Sequence, residues 1–345
     1  MSLSETDIRN RMNKYGTIYF PEDIREDLDD VLGNEDKKER LEDFFKSLKV
    51  YGDVVDKLRN AKITPSLTML LFGPPGTGKT SLTRAMAKKY GIPICVVEAD
   101  RLVSPLLGDT VKNLRNVVEE AAAVSRENGA FVLFFDEIDA IASERSNIHE
   151  VGEIKRAVIS FLQIVDKVTY EGLPLAIFGA TNHQNQLDSA VWRRFTFHLE
   201  FEFPDFELRK QIIESFLHRI QSAMIGVDEN IFTSLDAEYE RLEEIVKRIP
   251  QSDQKNDQLI FSMLEAEGGE GLLFMTQGYT GADIERASRV ALFKSLQTDI
   301  LTREDFERAL QIVGGTQIHV RWQNVMSGQA PSGNSKGKGS SITEL

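Results

Sequence analysis

The sequence predicts an α/β domain built on a parallel sheet, followed by a smaller all-helical domain. Three observations carry that prediction. Five short apolar runs, Leu67–Phe72, Ile94–Glu98, Phe131–Phe135, Leu175–Ala180 and Phe197–Phe203, alternate with longer amphipathic or charged stretches, as strands buried on both faces alternate with helices. A glycine-rich loop follows the first run directly. After Pro204 the β signal stops, and Leu208, Ile212, Phe216 and Ile220 recur at steps of four, on one helical face.

In chain order, residues 1–33 are polar, with Pro21 and clustered acids from Glu22 to Asp30, and are expected to form an irregular N-terminal arm. Residues 34–204 hold the five runs, residues 205–318 form the helical domain, and residues 319–345 form a Gly/Ser/Lys-rich, flexible tail. Within the helical part, Leu235, Tyr239, Leu242, Val246 and Ile249 make one apolar stripe, with Ser234 as the expected N-cap and Pro250 as the stop. Glu243 with Lys247 and Glu244 with Arg248 add i,i+4 pairs on the solvated side. Thr302 and Asp305 stand at capping-box spacing before a last helix.

Composition bounds the function. The 345 residues are 41% hydrophobic and 28% charged, enough apolar surface for a real core. The 41 Lys plus Arg against 54 Asp plus Glu leave a net charge of −13, which disfavours nucleic acid as the main partner, although a local basic pore is compatible with it. Residues 226–271 hold 12 acidic and 4 basic residues and so contribute −8 of that total. No apolar run reaches the roughly 20 residues of a membrane span, and no apolar h-region follows Met1. The single cysteine, Cys95, fits a reducing compartment. A soluble, cytoplasmic protein is the expectation.

The loop after the first run reads Gly73-Pro74-Pro75-Gly76-Thr77-Gly78-Lys79-Thr80-Ser81, and helix formers follow. Strand, glycine loop and helix in this order make a P-loop: backbone N–H groups surround phosphates, Lys79 reaches the β and γ phosphates, and the Thr80 hydroxyl ligates Mg²⁺. The run Phe131–Phe135 ends in Asp136-Glu137-Ile138-Asp139. An acidic strand end is common by itself. Beside an intact P-loop it reads as Asp136 organising the metal shell and Glu137 activating the attacking water.

The spacing of these two motifs resembles the AAA+ ATPases, specifically the AAA subgroup of spastin, katanin and the ATP-dependent metalloproteases, over about residues 30–315. The resemblance implies a P-loop NTPase fold with a five-stranded parallel sheet and a small AAA lid, hydrolysing ATP to ADP and phosphate with Mg²⁺. Three further segments carry it. Gly179-Ala-Thr-Asn182-His183 is similar to the sensor-one element, which would make Asn182 a positioner of the lytic water. Leu187 to Phe195 resembles the segment whose paired arginines, here Arg193 and Arg194, act on a neighbouring subunit's nucleotide. Gly278-Tyr-Thr-Gly281-Ala282-Asp283-Ile284 resembles the second-sensor turn, placing Ala282 at the nucleotide, and Asp30-Val-Leu-Gly33 falls where the family cradles adenine. By residue type alone, an adjacent arginine pair is more simply a surface pair bridging to acids, and Asn182 a turn former; the family pattern favours the active roles. It also implies a homo-oligomeric, hexameric ring.

Two segments depart from the pattern. Where remodelling members carry a pore-loop aromatic, within Ser104-Pro105-Leu106-Leu107-Gly108-Asp109, this chain has Leu106. Leu106 either grips an extended client by apolar contact or covers a turn. The acidic segment 226–271 stands where the family has a short link, and either packs on the lid or docks a partner by charge. Neither a substrate-binding domain nor a fused protease is read in the sequence, which has no His-Glu-x-x-His motif. The leading function is ATP-driven remodelling or unfolding of a protein partner, for which a separate protease is one destination. The alternative is a nucleotide-gated assembly or signalling switch without threading, and a DNA-acting ATPase would require basic patches that the sequence lacks.

Overall fold

In the computed structural model the described residues are 3–63, 65–102, 109–142, 151–251 and 257–316. They divide into two compact units, Met1–Pro204 and Asp205–Leu345. The expected tail, residues 319–345, lies outside the described residues, as does Leu106. Among the described residues no helix is long and apolar enough to cross a membrane.

The first unit runs α1 (Glu5–Met12), β1 (Gly16–Tyr19), α2 (Glu35–Asn60), β2 (Thr68–Phe72), α3 (Lys79–Tyr90), β3 (Ile94–Val97), α4 (Ala99–Leu102), α5 (Asp109–Asn128), β4 (Phe131–Phe135), α6 (Asp139–Ala142), α7 (Val151–Glu171), β5 (Leu175–Thr181), α8 (Ser189–Trp192) and β6 (Phe197–Glu200). The sheet order is β1-β3-β4-β5-β2-β6. Five strands are parallel, as the five apolar runs predict, and β1 adds a sixth, antiparallel to β3 with Ile18 opposite Cys95. Alternate residues feed two cores. Leu70, Cys95, Leu133, Phe135 and Ile177 join α5 and α7 on one face; Met69, Leu71, Phe134 and Phe178 meet Phe44 and Phe45 of α2 and Leu82 of α3 on the other. Burial pushes the Cys95 thiol up to about 12, so it stays protonated and inert.

Residues 1–33 are not irregular throughout. A capping box opens α1, with Asp7 N–H donating to Ser4 Oγ and Ser4 N–H to the Asp7 carboxylate, and Ile8 and Met12 bury its inner face. The acids that follow are paired: Asp23 with Arg9, Glu26 with Arg84 and Asp27 with Lys88. Two of those partners lie on α3, so the acidic arm runs along the helix that follows the glycine loop.

The second unit runs α9 (Phe206–Ser222), β7 (Gly226–Val227), α10 (Glu229–Arg248), α11 (Asp257–Ala266), α12 (Leu272–Met275), α13 (Gly281–Ser295), β8 (Ile300–Leu301) and α14 (Arg303–Val313), with β7 and β8 paired in parallel. Its single core takes Ile213, Phe216, Leu217 and Ile220 from α9 and Ile231, Leu235, Leu242 and Ile245 from α10. The α10 N-cap is Asp228 rather than Ser234. Its carboxylate accepts from Asn230 N–H, while Ser234 lies inside the helix with its hydroxyl on the Ile231 carbonyl. Burial of Ile231 extends the apolar stripe one turn earlier than Leu235, and the helix starts with it. Thr302 caps α14 by accepting Asp305 N–H, and the Asp305 carboxylate takes the Thr302 hydroxyl instead of closing the box on its backbone.

The acidic segment belongs to this core. Glu238, on the inner face of α10, accepts Leu273 N–H at 2.9 Å and Phe274 N–H at 2.6 Å, holding the start of α12. Burial raises its pKa, against which those two hydrogen bonds and the charges of Arg303 and Arg209 work. Its carboxylate fills the space beside Gly271, where a Cβ would lie 2.2 Å from Oε2. Glu238→Ala should therefore lower stability by about 3 kcal/mol, the scale for removing one member of a buried charged network, read as an earlier denaturant midpoint. Glu240→Ala, on the exposed face of the same helix, should change it by less than about 0.5 kcal/mol.

Candidate functional site

The site is built where β2, β4 and β5 end side by side. β2 lies between β5 and β6, with Phe72 opposite Thr181 of β5 and Glu200 of β6. Its outgoing connection crosses to β3 on one side, whereas that of β5 crosses to β6 on the other. Adjacent strands whose connections diverge leave a crevice at their carboxyl ends.

The loop from Gly73 to Gly78 turns directly into α3, whose first three residues are Lys79, Thr80 and Ser81. Gly73, at φ 135°, lies so close to β6 that a Cβ would fall 2.0 Å from the Phe201 carbonyl oxygen. Gly78 caps α3 in the left-handed region at φ 93°. Lys79 is buried and donates to the carbonyls of Gly73 at 2.8 Å and Pro74 at 2.7 Å. The Thr77 hydroxyl donates to Pro74 O as well, at 2.9 Å. Burial pushes the Lys79 ammonium down to about 8, with Asp136 and Asp139 pulling it back up. The loop thus closes around a cation, and its carbonyls hold the ammonium where an anionic phosphate oxygen can replace them.

The Thr80 hydroxyl donates to Asp136 Oδ2 at 3.1 Å, and Asp136 Oδ1 accepts the Glu137 N–H at 3.1 Å. Glu137 is exposed and sits in the left-handed region at φ 52°, a conformation that costs a non-glycine residue about 1–2 kcal/mol. That turn brings the Ile138 N–H onto the Ala180 carbonyl of β5 at 2.9 Å. Asn182 follows the last residue of β5. Thr181, fully buried, donates to Asp139 Oδ1 at 2.6 Å and accepts the His183 N–H at 3.0 Å, so it shapes the turn that carries Asn182. Asp139 and Thr181 are the residues that sequence reasoning missed, because no spacing rule connects positions 42 apart.

Thr80 and Asp136 offer a small divalent cation two hard oxygen ligands. Among the described residues no group of three or more His, Cys, Asp or Glu side chains could cage a metal. This donor set suits Mg²⁺, which takes one or two protein oxygens and completes its shell with phosphates and water.

The remaining sequence candidates fall in different places. Gly33, at φ 69°, ends the arm; Val31 beside it reaches the P-loop, its Cγ1 lying 3.7 Å from where a Gly78 Cβ would be. Ala282 is exposed in the first turn of α13, in the second unit. Asp283 next to it is buried; burial opposes its charge, but hydrogen bonds from Thr280 and Thr316 hold its pKa below the usual value. Arg193 is exposed, and Arg194 pairs with Asp166 of α7 at 3.5 Å. The Arg194 carbonyl accepts the Thr68 hydroxyl at 2.9 Å. Thr68 opens β2 and the P-loop follows its other end, so at about 3.3 Å per residue the strand separates the two by roughly 13 Å. The structure brings Lys79, Thr80, Asp136, Glu137 and Asn182 together and sets the arginines apart from them.

Comparison with known proteins follows the same lines. The profile of the ATPase family associated with various cellular activities (AAA) matches residues 69–203. Spastin of Anopheles gambiae is 33% identical over 207 residues, covering 58% of this chain and 23% of that protein. The 26S proteasome regulatory subunit 6A of Schizosaccharomyces pombe is 32% identical over 196 residues, covering 56% of this chain and 42% of its own. The chain thus spans less than half the length of these relatives. The crystal structure of the FIGL-1 AAA domain in complex with ADP has a similar fold, with a TM-score of 0.59 at 23% identity over 95% of this chain and 98% of that one. The P-loop and the acidic strand end both lie inside residues 69–203, so that segment matches the AAA ATPase family, and the fold of the chain is similar to that of the FIGL-1 AAA domain.

Proposed function

We propose that the chain hydrolyses ATP to ADP and phosphate at the crevice beyond β2, β4 and β5, and that it does so in a ring of identical subunits acting on a protein partner. The observation that carries the catalytic part is the hydrogen bond between Thr80 and Asp136, which joins the phosphate loop to the acidic strand end in one small space. Backbone N–H groups of Gly73–Gly78 and the Lys79 ammonium bind the phosphates, with Gly33 beside the nucleoside. Thr80 and Asp136 would hold Mg²⁺, which neutralises charge on the β and γ phosphates when bound. Glu137 takes a proton from the attacking water, and its exposed carboxylate leaves room for one. Asn182, held by the Thr181 turn, orients that water and the γ-phosphate.

Thr68 holds the Arg194 carbonyl a strand length from the P-loop, which supports a role for Arg193 and Arg194 outside their own site. An exposed Arg193 and a half-buried Arg194, side by side on one turn, suit the γ-phosphate of an adjacent copy. This separation favours a ring, and a hexamer is the closure the family pattern implies. A protein partner is supported by the relatives named for the proteasome and spastin. A cytoplasmic setting is supported by the single, buried Cys95.

Glu137→Gln should keep ATP binding within about twofold and lose at least about 100-fold in turnover, the scale of general-base catalysis; near-normal turnover would sink the assignment. Arg193→Ala with Arg194→Ala should also bind ATP and lose about 10³-fold or more. Mixing these two inactive variants should recover measurable turnover, since each supplies what the other lacks. Leu106→Ala separates threading from a switch: loss of partner-dependent activity with intact ATPase and assembly favours threading, and no change favours a nucleotide-gated switch.

A further inference from the structure

Thr68 is the one residue of β2 whose side chain bonds to the arginine segment. Its side chain is 2% exposed. The hydroxyl donates to Arg194 O at 2.9 Å, accepts the Thr196 N–H at 3.0 Å, and lies 2.8 Å from Ser66 Oγ, which can donate to its second lone pair. A hydroxyl offers one donor and two acceptor positions, so all of its capacity is used here, two-thirds of it on the backbone around Arg194. The pairing register of β2 with β6 begins only afterwards, at Met69 opposite Phe197. The turn of residues 193–196 therefore takes its place from this side chain before the sheet ladder starts.

The other flank of the pair is also fixed. The Trp192 ring packs at 5.0 Å on Phe72, the last residue of β2, and stacks at 4.5 Å on His198. Phe195 is 1% exposed. Two arginines thus stand between a clamped tryptophan and a buried phenylalanine, with their carbonyl side tied to Thr68. Arg194 has a single ion pair among the described residues, at 3.5 Å to Asp166, which leaves its head free to exchange partners while its backbone stays put.

We propose that the Thr68 hydroxyl is a positioning residue for the reaction: it sets the backbone from which Arg193 and Arg194 reach the neighbouring subunit's γ-phosphate. The inference rests on the reading that these arginines act between subunits. Threonine fits because it donates and accepts at once; valine has its shape and does neither, and would leave the Arg194 carbonyl and the Thr196 N–H, both at part-buried positions, without that partner. A displacement of about 1 Å at a catalytic group costs on the order of 100-fold in rate, whereas the variant's own P-loop is untouched.

The experiment compares Thr68→Val, Thr68→Ala and Thr68→Ser in the full chain, with thermal unfolding, binding of a fluorescent ATP analogue, and kcat and KM for ATP. Expected for Val and Ala are folded protein, analogue affinity and KM within about twofold of the parent, and kcat lower by about 10- to 100-fold; Ser should return kcat to within about threefold. Mixing Thr68→Val with Glu137→Gln subunits should raise turnover above either alone, because the Glu137→Gln subunit lends intact arginines to a competent site. If Thr68→Val turns over like the parent while the double arginine variant is still rescued by Glu137→Gln, the inter-subunit reading stands and the role of Thr68 is overturned. If the double arginine variant is not rescued either, the inter-subunit reading fails and takes this inference with it. Unfolding or loss of analogue binding in both Val and Ala assigns the hydroxyl to the fold and overturns the proposal.

Discussion

β2 is hydrogen-bonded to β5 on one side and β6 on the other, so whatever is attached to its two ends is located by three strands at once. At the carboxyl end that attachment is the phosphate loop, sealed by the Gly73 N–H on the Thr181 carbonyl at 3.3 Å and by the contact of Gly73 with Phe201. At the amino end it is the Arg194 turn, tied by Thr68. A rigid five-residue strand cannot bring its ends together. The separation of the phosphate loop from the Arg194 turn is thus a property of the sheet.

The same sheet explains why the acidic residues work as a group. Asp136 leaves β4 and Asp139 follows three residues later; the first meets Thr80 at the start of α3, the second meets Thr181 at the end of β5. Each carboxylate is half-buried and takes a threonine hydroxyl, and both act on Lys79. Glu137 stands between them with its side chain exposed, held there by a left-handed backbone turn. Strain of this kind persists only where its surroundings over-determine it. Here the Ile138 N–H on β5 and the Glu137 N–H on Asp136 do so.

Much of this was legible in the sequence. Five parallel strands were visible because strands buried on both faces are continuous apolar runs, and the phosphate loop because its chemistry leaves little freedom at glycine, lysine and threonine. The helix α1 and strand β1 were not: α1 has only Ile8 and Met12 on its buried face, too few turns for a period to show, and β1 is four residues long. The acids of the arm looked irregular since their partners, Arg84 and Lys88, lie some 60 residues away on α3. Ser234 and Asp228, six residues apart, are both good caps for α10, and only the burial of Ile231 decides between them. Thr181, Asp139 and Thr68 acquire their roles through contacts across the sheet, which local pattern does not encode.

The charge of residues 226–271 likewise divides once the structure is known. Its outer acids face solvent on α10, but Glu238 points inward, grips the start of α12 and occupies the space that a side chain at Gly271 would need. A residue whose bulk fills another's missing Cβ makes the two positions one unit of inheritance. Alanine at 271 requires the Glu238 carboxylate to move, and moving it disturbs the hydrogen bonds it accepts from Leu273 and Phe274. The outer acids of the segment can change one at a time, while a change at either member of this pair is felt by the other.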